Sequence, residues 1–410
     1  MFKSKKKTVI LIGLFFLVFP VKSQIFSPPD KAEYRKKEKG FYENVILEDA
    51  ESCKKNEIPR ILLCEFDGNY PTDITAYKTH WHTLPQSQGN TGTCWCFAAT
   101  SFFESEIFRL NDKEVDLSEM FFVYWDYVDR AEHYVETRGE TYFNQGSEPN
   151  ALKRIMPVYG CVPASVYPGK PEYREYHSHS EMVEEMKTYL DHVKEANQWN
   201  AEQVRADIRA ILDSHMGEMP DKFEYDGKLY TPMDFYESLP FKAGDMVSFM
   251  STMSVPYNEK HELVEPDNWW HSDEYYNVSL DDFYNTVESA VKHGYTICIC
   301  GDVSEPGYDS QAEVAIVPEF DIPPAHINAS SRELRLYNES TTDDHCLHIV
   351  GYQESGDDMW YLIKDSGAGG FDGQHKGYCF FHEDYIRLKM MNIMLHKDAA
   401  RDVLDKIIKK

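Results

Sequence analysis

Residues 88–98 read QGNTGTCWCFA, a loop with two glycines that runs directly into a segment with apolar residues at helical spacing. The spacing predicts a helix over residues 94–109, with Cys94 in its first turn. The first N–H groups of a helix lack partners within the helix and, together with the helix dipole, favour negative charge. A thiol there is readily ionised to the thiolate, which is the nucleophilic form of cysteine. We therefore predict that Cys94 is a nucleophile; the alternative is a buried structural thiol.

Two neighbours of Cys94 extend this prediction. Gln88 lies six residues upstream, where its side-chain amide can donate a hydrogen bond to an oxyanion beside the backbone N–H of Cys94. Cys96 lies about 200° around the helix from Cys94, and we expect it to be a structural cysteine.

A base for the thiol is predicted in the second half of the chain. His345 begins the β-type run HCLHIVGY, and Asp365 ends the next run, WYLIKD. If these runs form adjacent antiparallel strands, Asp365 can accept the ring N–H of His345 and fix its tautomer. His348 points to the opposite face of the strand, so we expect it to be a core or surface histidine.

The order of the predicted elements indicates the fold class. Helical spacing dominates the first half, at residues 94–109, 118–130, 149–159 and most of 180–213. Short β-type runs dominate the second half, at 246–251, 295–300, 314–318, 346–352, 359–364 and 377–381, with a helix at 280–293. This order predicts an α+β protein with two segregated lobes.

The charge pattern bears on location and partners. The formal net charge is −27, which argues against nucleic acid or an anionic membrane as a partner. Four lysines before residue 8, an apolar run over 8–20 and a small residue at Ser23 predict a removable leader, 1–23. The run is shorter than the roughly 20 residues that span a bilayer. We expect export to the periplasm or the extracellular space, with no membrane association after leader removal.

Cysteine and histidine spacing indicates no metal site and no cofactor. Nine cysteines leave at least one thiol unpaired, and Cys53 and Cys64 can close a small loop. No paired Cys or His spacing typical of structural zinc is present. Two His-x-His pairs lack nearby carboxylates and are predicted to be surface or loop histidines: His80 with His82, and His177 with His179.

The order Gln88, Cys94, His345 and Asp365, with the motifs GTCW at 92–95, DHCLHIVGY at 344–352 and LIKDSG at 362–367, resembles the papain superfamily of cysteine peptidases. The long separation between Cys94 and His345 is similar to that of the bleomycin hydrolase and aminopeptidase C branch. Residues 117–126 (LSEMFFVYWD), 159–168 (YGCVPASVYP), 215–225 (HMGEMPDKFEY), 300–303 (CGDV) and 375–378 (HKGY) also resemble that branch. The resemblance covers roughly residues 80–395.

The resemblance implies a papain-like fold with a helical lobe carrying Cys94, a β-barrel-like lobe carrying His345, and a helical insertion. Cys94 would be the nucleophile, Gln88 the oxyanion donor, His345 the acid and base, and Asp365 its orienting residue. Gly146 and Ser147 lie where the family has a glycine pair that holds the substrate. The expected segments are the leader, an N-terminal arm or pro-segment (24–75), a helical lobe (76–179), an insertion (180–242), a β-rich lobe (243–398) and a tail (399–410).

Further expectations follow from the branch. The substrate would be a peptide or protein, a homo-oligomer such as a hexamer is implied, and a C-terminal arm lying in the cleft would give aminopeptidase action. Three positions depart from the family: Asp365 replaces Asn, Gly367 stands where a Trp shields the His contact, and Ser147 replaces the second Gly. These changes leave two alternatives to an exported peptidase: a catalytically impaired papain-like binding or scaffold protein, and a Cys/His cell-wall amidase.

Overall fold

A computed structural model describes residues 32–36, 39–47, 60–66 and 68–408. The predicted leader, Cys53 and the last two residues lie outside the described residues, so the predictions made for them stay predictions. No described helix is both long and apolar enough to cross a membrane.

The helices of the first half lie close to their predicted positions. Ser118 caps the second helix by accepting the N–H of Phe121, as its position before the apolar run predicts. The helices are α1 (Cys94–Asn111), α2 (Glu119–Glu136), α3 (Ala151–Tyr159), α4 (Ser180–Glu195), α5 (Ala201–Met216) and α6 (Pro232–Glu237). The second half adds α7 (Leu280–Lys292), α8 (Ala329–Tyr337), α9 (Glu383–Lys389) and α10 (Arg401–Ile408).

The strands form one large mixed sheet and two small two-stranded sheets. The small sheets pair β1 (Ala32–Lys36) with β2 (Arg60–Cys64), and β4 (Phe223–Tyr225) with β5 (Lys228–Tyr230), each pair being antiparallel. The strands of the large sheet are β3 (Lys78–Thr79), β6 (Met246–Met250), β7 (Glu259–His261), β8 (Tyr275–Asn277), β9 (Ile297–Gly301), β10 (Tyr308–Asp309), β11 (Val314–Ala315), β12 (His345–Ser355), β13 (Asp358–Lys364), β14 (Tyr378–His382) and β15 (Met390–His396). They are arranged in the order β10-β11-β14-β13-β12-β9-β15-β6-β8-β7, and β3 pairs with β12. Short helical turns lie at Tyr42–Ile46, Ile74–Ala76, Ala243–Asp245, Pro324–His326 and Ala368–Phe371.

The two faces of the central strands pack against different helices, because side chains alternate along a strand. Cys298, Cys300 and Cys346 face the core of the helical half, which includes the buried face of α1. Ile297 and Leu347 face the opposite core, with α7, α9 and α10. The nucleophile helix therefore lies directly against the strand that begins at His345. The predicted α+β class is confirmed.

A disulfide joins two neighbouring strands beside this contact. Cys300 and Cys346 are register partners in β9 and β12 and are covalently linked. Because Cys346 follows His345 in the chain, the crosslink fixes the start of β12 next to the predicted base. The predicted pairing of Cys53 with Cys64 stays a prediction.

Two terminal segments contact this framework. In the predicted N-terminal arm, Tyr42 donates a hydrogen bond of 2.7 Å to Asn90 Oδ1, and the ring of Phe41 stacks on Phe371 at 5.2 Å between centroids. The C-terminal helix α10 buries Val403 in the core beside α7, and Lys406 pairs with Asp282. This placement differs from the cleft-filling arm that the resemblance implies, because the helix finds its apolar partners on the face of the sheet opposite α1.

Candidate active site

Cys94 is the first residue of α1. The preceding Thr93 gives that helix no side-chain cap; its hydroxyl lies 2.6 Å from the hydroxyl of Thr91 instead. The N–H of Cys96 donates to the carbonyl of Thr93 at 2.9 Å. The described residues give the N–H groups of Cys94 and Trp95 no acceptor, so these two are left for an anion at the helix start. Cys94 is partly exposed, whereas the rest of the first turn is buried, so its thiol is accessible.

His345 and Asp365 lie together as the strand pairing predicts. His348 pairs with Lys364 in β12 and β13, which places Asp365 just beyond the end of the ladder, close to His345. His345 Nε2 lies 2.7 Å from Asp365 Oδ1, and the Cys94 thiol is near enough to interact with the same ring. Burial by itself would lower the pKa of His345, but the negative charges of Asp365 and the Cys94 thiolate raise this pKa well above 6.5. The site therefore favours the imidazolium form of His345.

Gln88 is held between the loop before Cys94 and the segment after Asp365. Its Nε2 donates to the carbonyl of Thr91 at 2.7 Å, and its Oε1 accepts from Ser366 Oγ at 2.8 Å. A side-chain amide carries two N–H groups, and the described residues engage only one of those of Gln88. The second N–H is available to an oxyanion formed at Cys94.

Gly146 and Ser147 lie beside the loop that leads to Cys94. The preceding residue, Gln145, accepts hydrogen bonds from the N–H of Gly92 at 2.8 Å and from Trp95 Nε1 at 3.2 Å. The carbonyl of Gly146 accepts a hydrogen bond from Arg130. The structure thus brings the predicted substrate-holding pair to the loop that precedes the nucleophile.

Gly367 replaces the shielding Trp with a direct backbone contact. Its N–H donates to Asp365 Oδ1 at 2.7 Å. A Cβ atom at Gly367 would lie 2.8 Å from Cε1 and 2.9 Å from Nε2 of His345. Only a residue without a side chain can lie this close to the ring, so the backbone itself covers the His345–Asp365 contact.

Cys96, His348 and the two His-x-His pairs are predicted to have no catalytic role. Cys96 is fully buried, and burial raises its pKa well above the usual value. His348 is also fully buried, lies 2.9 Å from Ser101 Oγ through Nδ1, and has a pKa that burial lowers well below 6.5. The two His-x-His pairs lie in loops, which agrees with the prediction of surface or loop histidines. His179 is nevertheless only 3% exposed, because it packs against Tyr127.

The sequence reasoning missed several residues that shape the site. Ser366 braces Gln88, and the disulfide of Cys300 and Cys346 fixes the strand of His345. Asp267 comes from the long connection between β7 and β8, and its carboxylate lies against Gly146. No periodicity marks a residue in such a connection, so only the tertiary structure reveals it.

A group of potential metal ligands lies elsewhere. Among the described residues, Asp358, His382 and Glu383 are close enough to share one ion. Asp358 begins β13 and Asp365 follows its end, so the two are separated by about 20 Å of strand. Cys94 and His345 are residue types that can bind metals, but here they form a thiol–imidazole pair, and we assign no metal to them.

The comparisons with known proteins agree with this geometry. A model of the Peptidase C1-like family matches residues 52–410. Aminopeptidase C of Listeria monocytogenes is 23% identical over 265 residues, which cover 53% of this chain and 59% of that protein. Cysteine proteinase 1 of Dictyostelium discoideum is 30% identical over 130 residues, which cover 31% of this chain and 37% of that protein. The chain therefore spans about three fifths or less of the length of these curated relatives.

A solved structure extends the likeness to the fold. PepW of Lactobacillus rhamnosis HN001 superposes with a TM-score of 0.66 at 18% identity, covering 81% of this chain and 84% of that chain. The predicted papain-like fold and the predicted branch are both confirmed. Because the family model covers most of its length, the chain belongs to the Peptidase C1-like family.

Proposed function

We propose that this protein is an exported cysteine peptidase that hydrolyses peptide bonds through an acyl-enzyme on Cys94. The observation that carries the proposal is the position of His345, which interacts with Cys94 at the start of α1 and lies 2.7 Å from Asp365 Oδ1 through Nε2. Nucleophile, base and orienting group stand in the order that such catalysis needs.

The first half of the reaction uses the thiolate–imidazolium pair. The Cys94 thiolate attacks the substrate carbonyl carbon, a C–S bond forms, and the carbonyl electrons move to the oxygen. The free N–H of Gln88 and the backbone N–H of Cys94 stabilise this oxyanion. When the oxyanion collapses, the C–N bond breaks and His345 gives its proton to the leaving amine.

The second half releases the acyl group. Neutral His345 takes a proton from water, and the resulting hydroxide attacks the thioester carbon. The C–S bond breaks, the carboxylic acid leaves, and the thiolate–imidazolium pair is restored. Asp365 holds the ring by one nitrogen throughout, so the other nitrogen stays directed at Cys94 and the substrate.

The proposal also includes export and aminopeptidase action, and each rests on a separate observation. The basic and apolar pattern of residues 1–23 supports export. The relatives named Aminopeptidase C support release of N-terminal residues. Because α10 packs beside α7, a segment other than this helix would have to restrict cleavage to the N-terminal residue of a substrate.

Active-site labelling tests the proposal. Reduced protein is treated with a thiol-directed epoxide, and the label is located by mass spectrometry beside a digest of a peptide library. One label per chain on Cys94, with hydrolysis lost in Cys94→Ala and kept in Cys96→Ala, is the expected result. A folded protein that takes no label and cleaves no peptide would overturn the proposal in favour of a binding protein. Cleavage of peptidoglycan stem peptides alone would favour an amidase.

A further inference from the structure

We propose that a carboxylate pocket beside Cys94, built by Glu148 and Asp343, selects peptide substrates that carry a positively charged nitrogen. This selectivity rests on the proposed peptidase function and names its substrate class. Glu148 and Asp343 together form what we call the carboxylate pocket.

The carboxylate pocket lies between the two sides of the active site. Glu148 follows Gly146 by two residues, and Asp343 precedes His345 by two residues. Consecutive residues advance the chain by at most about 3.6 Å, so each carboxylate lies within side-chain reach of the site. Burial raises the pKa of the Cys298 thiol well above its usual value, and the charges of Glu148, Cys94 and Asp343 act in the same direction, so all three lie in the surroundings of this thiol.

The pocket has fewer hydrogen-bond donors than its oxygens can accept. Asn392 Nδ2 donates to Glu148 Oε2 at 3.3 Å and to Asp343 Oδ2 at 2.9 Å, and the Tyr275 hydroxyl donates to the same Oε2 at 3.3 Å. The described residues give Glu148 Oε1 no hydrogen bond, although Glu148 is only 2% exposed. Glu148 Oε1 is not among the fully buried atoms that lack a partner, so it keeps a small accessible surface. A nearly buried carboxylate oxygen without a donor is costly, and an accessible one can accept a hydrogen bond from a ligand.

The pocket also lacks a resident cation. Elsewhere the fold gives buried carboxylates a positive partner: Asp126 contacts Arg130 and Arg154. Among the described residues, no Lys or Arg forms an ion pair with Glu148 or Asp343. Burial and the negative charges of Asp267 and Glu265 raise the pKa of Glu148 to about 8. A bound cation would relieve this repulsion.

A cavity on the Glu265 side of the pocket has room for a side chain. Glu265, whose charge acts on both members of the pocket, also lines a cavity of about 200 Å³. Its other walls are mixed: Met250, Leu263, Leu336 and Met391 are apolar, whereas Glu262 and Glu333 are acidic. Apolar walls beside carboxylates suit the methylenes and terminal charge of a lysine or arginine side chain.

The substrate arm of the test needs no protein variant. Peptides that differ at one position, with Lys, N-acetyl-Lys or norleucine, are compared with free and with acetylated N-termini. We expect kcat/KM to be about 10- to 100-fold higher for Lys than for norleucine, as for a charge-assisted hydrogen bond. If only the free N-terminus matters, the cation recognised is the α-ammonium, which keeps the pocket assignment but changes the source of the charge.

The variant arm assigns the preference to the pocket. In Glu148→Gln and Asp343→Asn, which keep side-chain shape, the Lys-to-norleucine ratio of kcat/KM should fall towards one. Asp357→Asn, which removes an exposed charge from the β12–β13 turn, should keep the full ratio. Equal hydrolysis of all the peptides by the unmodified protein, or an unchanged ratio in both pocket variants, would overturn this inference. Absence of hydrolysis and of Cys94 labelling would instead overturn the proposed function.

Discussion

Nε2 of His345 lies 2.7 Å from Oδ1 of Asp365, and the same oxygen accepts the N–H of Gly367 at 2.7 Å. One carboxylate oxygen thus orients the ring and ties it to the segment that covers it. Because Nε2 is engaged, Nδ1 is the nitrogen left for Cys94. Asp365, which stands where the resembled family has Asn, therefore holds the ring of His345 and adds a negative charge beside it.

Asp365→Asn should change the pH dependence of activity. Burial lowers the pKa of His345, whereas Asp365 raises it, with a net pKa well above 6.5. The thiolate–imidazolium pair needs protonated His345, so it is lost as pH rises through that pKa. Asn removes the negative charge, so the pKa of His345 falls and the alkaline limb of kcat/KM moves to lower pH. The rate of Cys94 alkylation against pH gives a second measurement, and an unmoved limb in both would contradict this account.

Gly367→Ala should impair catalysis by displacing His345. The new Cβ would lie 2.8 Å from Cε1 of the ring, so the ring or the segment must shift. A displacement of this kind can lower kcat/KM by about 10- to 100-fold, with a small effect on the melting temperature. Gly244→Ala is the matched control, because its added Cβ has no neighbour within 4 Å. Equal activities of the two variants would show that the close approach at Gly367 is dispensable.

Gln88→Ala should lower kcat by about 100- to 1,000-fold, the usual effect of removing one oxyanion donor. Epoxide labelling of Cys94 should persist, because the nucleophile and base remain. Ser366→Ala removes the brace on Gln88 Oε1 but keeps the donor, so we expect a loss of less than about tenfold. If both variants lose activity equally, the role of Gln88 is to hold the loop before Cys94 in place, and it does not donate to the oxyanion.

Removal of the Cys300–Cys346 disulfide should destabilise the β-rich half. The bridge spans 46 residues, for which the chain-entropy model gives about 4 kcal/mol of stabilisation. The doubly substituted Cys300→Ser, Cys346→Ser protein should therefore melt at a lower temperature than the oxidised protein. Dithiothreitol should lower the melting temperature of the parent and leave that of the double variant unchanged. Equal melting temperatures of all samples would show that the crosslink contributes nothing.

Much of the fold could be predicted because its elements have local signals. The helix at Cys94 extends only two residues beyond its predicted end, and the two helices of the insertion break where the chain changes near Trp199. The ends of strands were less predictable. For example, β11 is only two residues long, because only Val314 and Ala315 have register partners in neighbouring strands. Pairing length depends on the neighbouring strand, which no local pattern contains.

The predicted site residues meet in space, yet their surroundings could not be foreseen. Gln88, Cys94, His345 and Asp365 carried signals of order and motif. The brace from Ser366, the contact of Gly367 with the ring and the carboxylate at Gly146 come from strand register and long connections. Such contacts join residues that are far apart in the chain, so their chemistry emerges only once the sheet is formed.

By itself, the sequence determined that Cys94 begins a helix and that a histidine and a carboxylate follow on two successive strands, because both features depend on local spacing. The tertiary structure alone decided what surrounds them. Packing α1 against β9 and β12 brought His345 to the thiol, and the same packing enclosed Glu148 and Asp343 without a cation. Local periodicity fixes which side chains an element presents, whereas the charge balance of a pocket depends on every element that lines it.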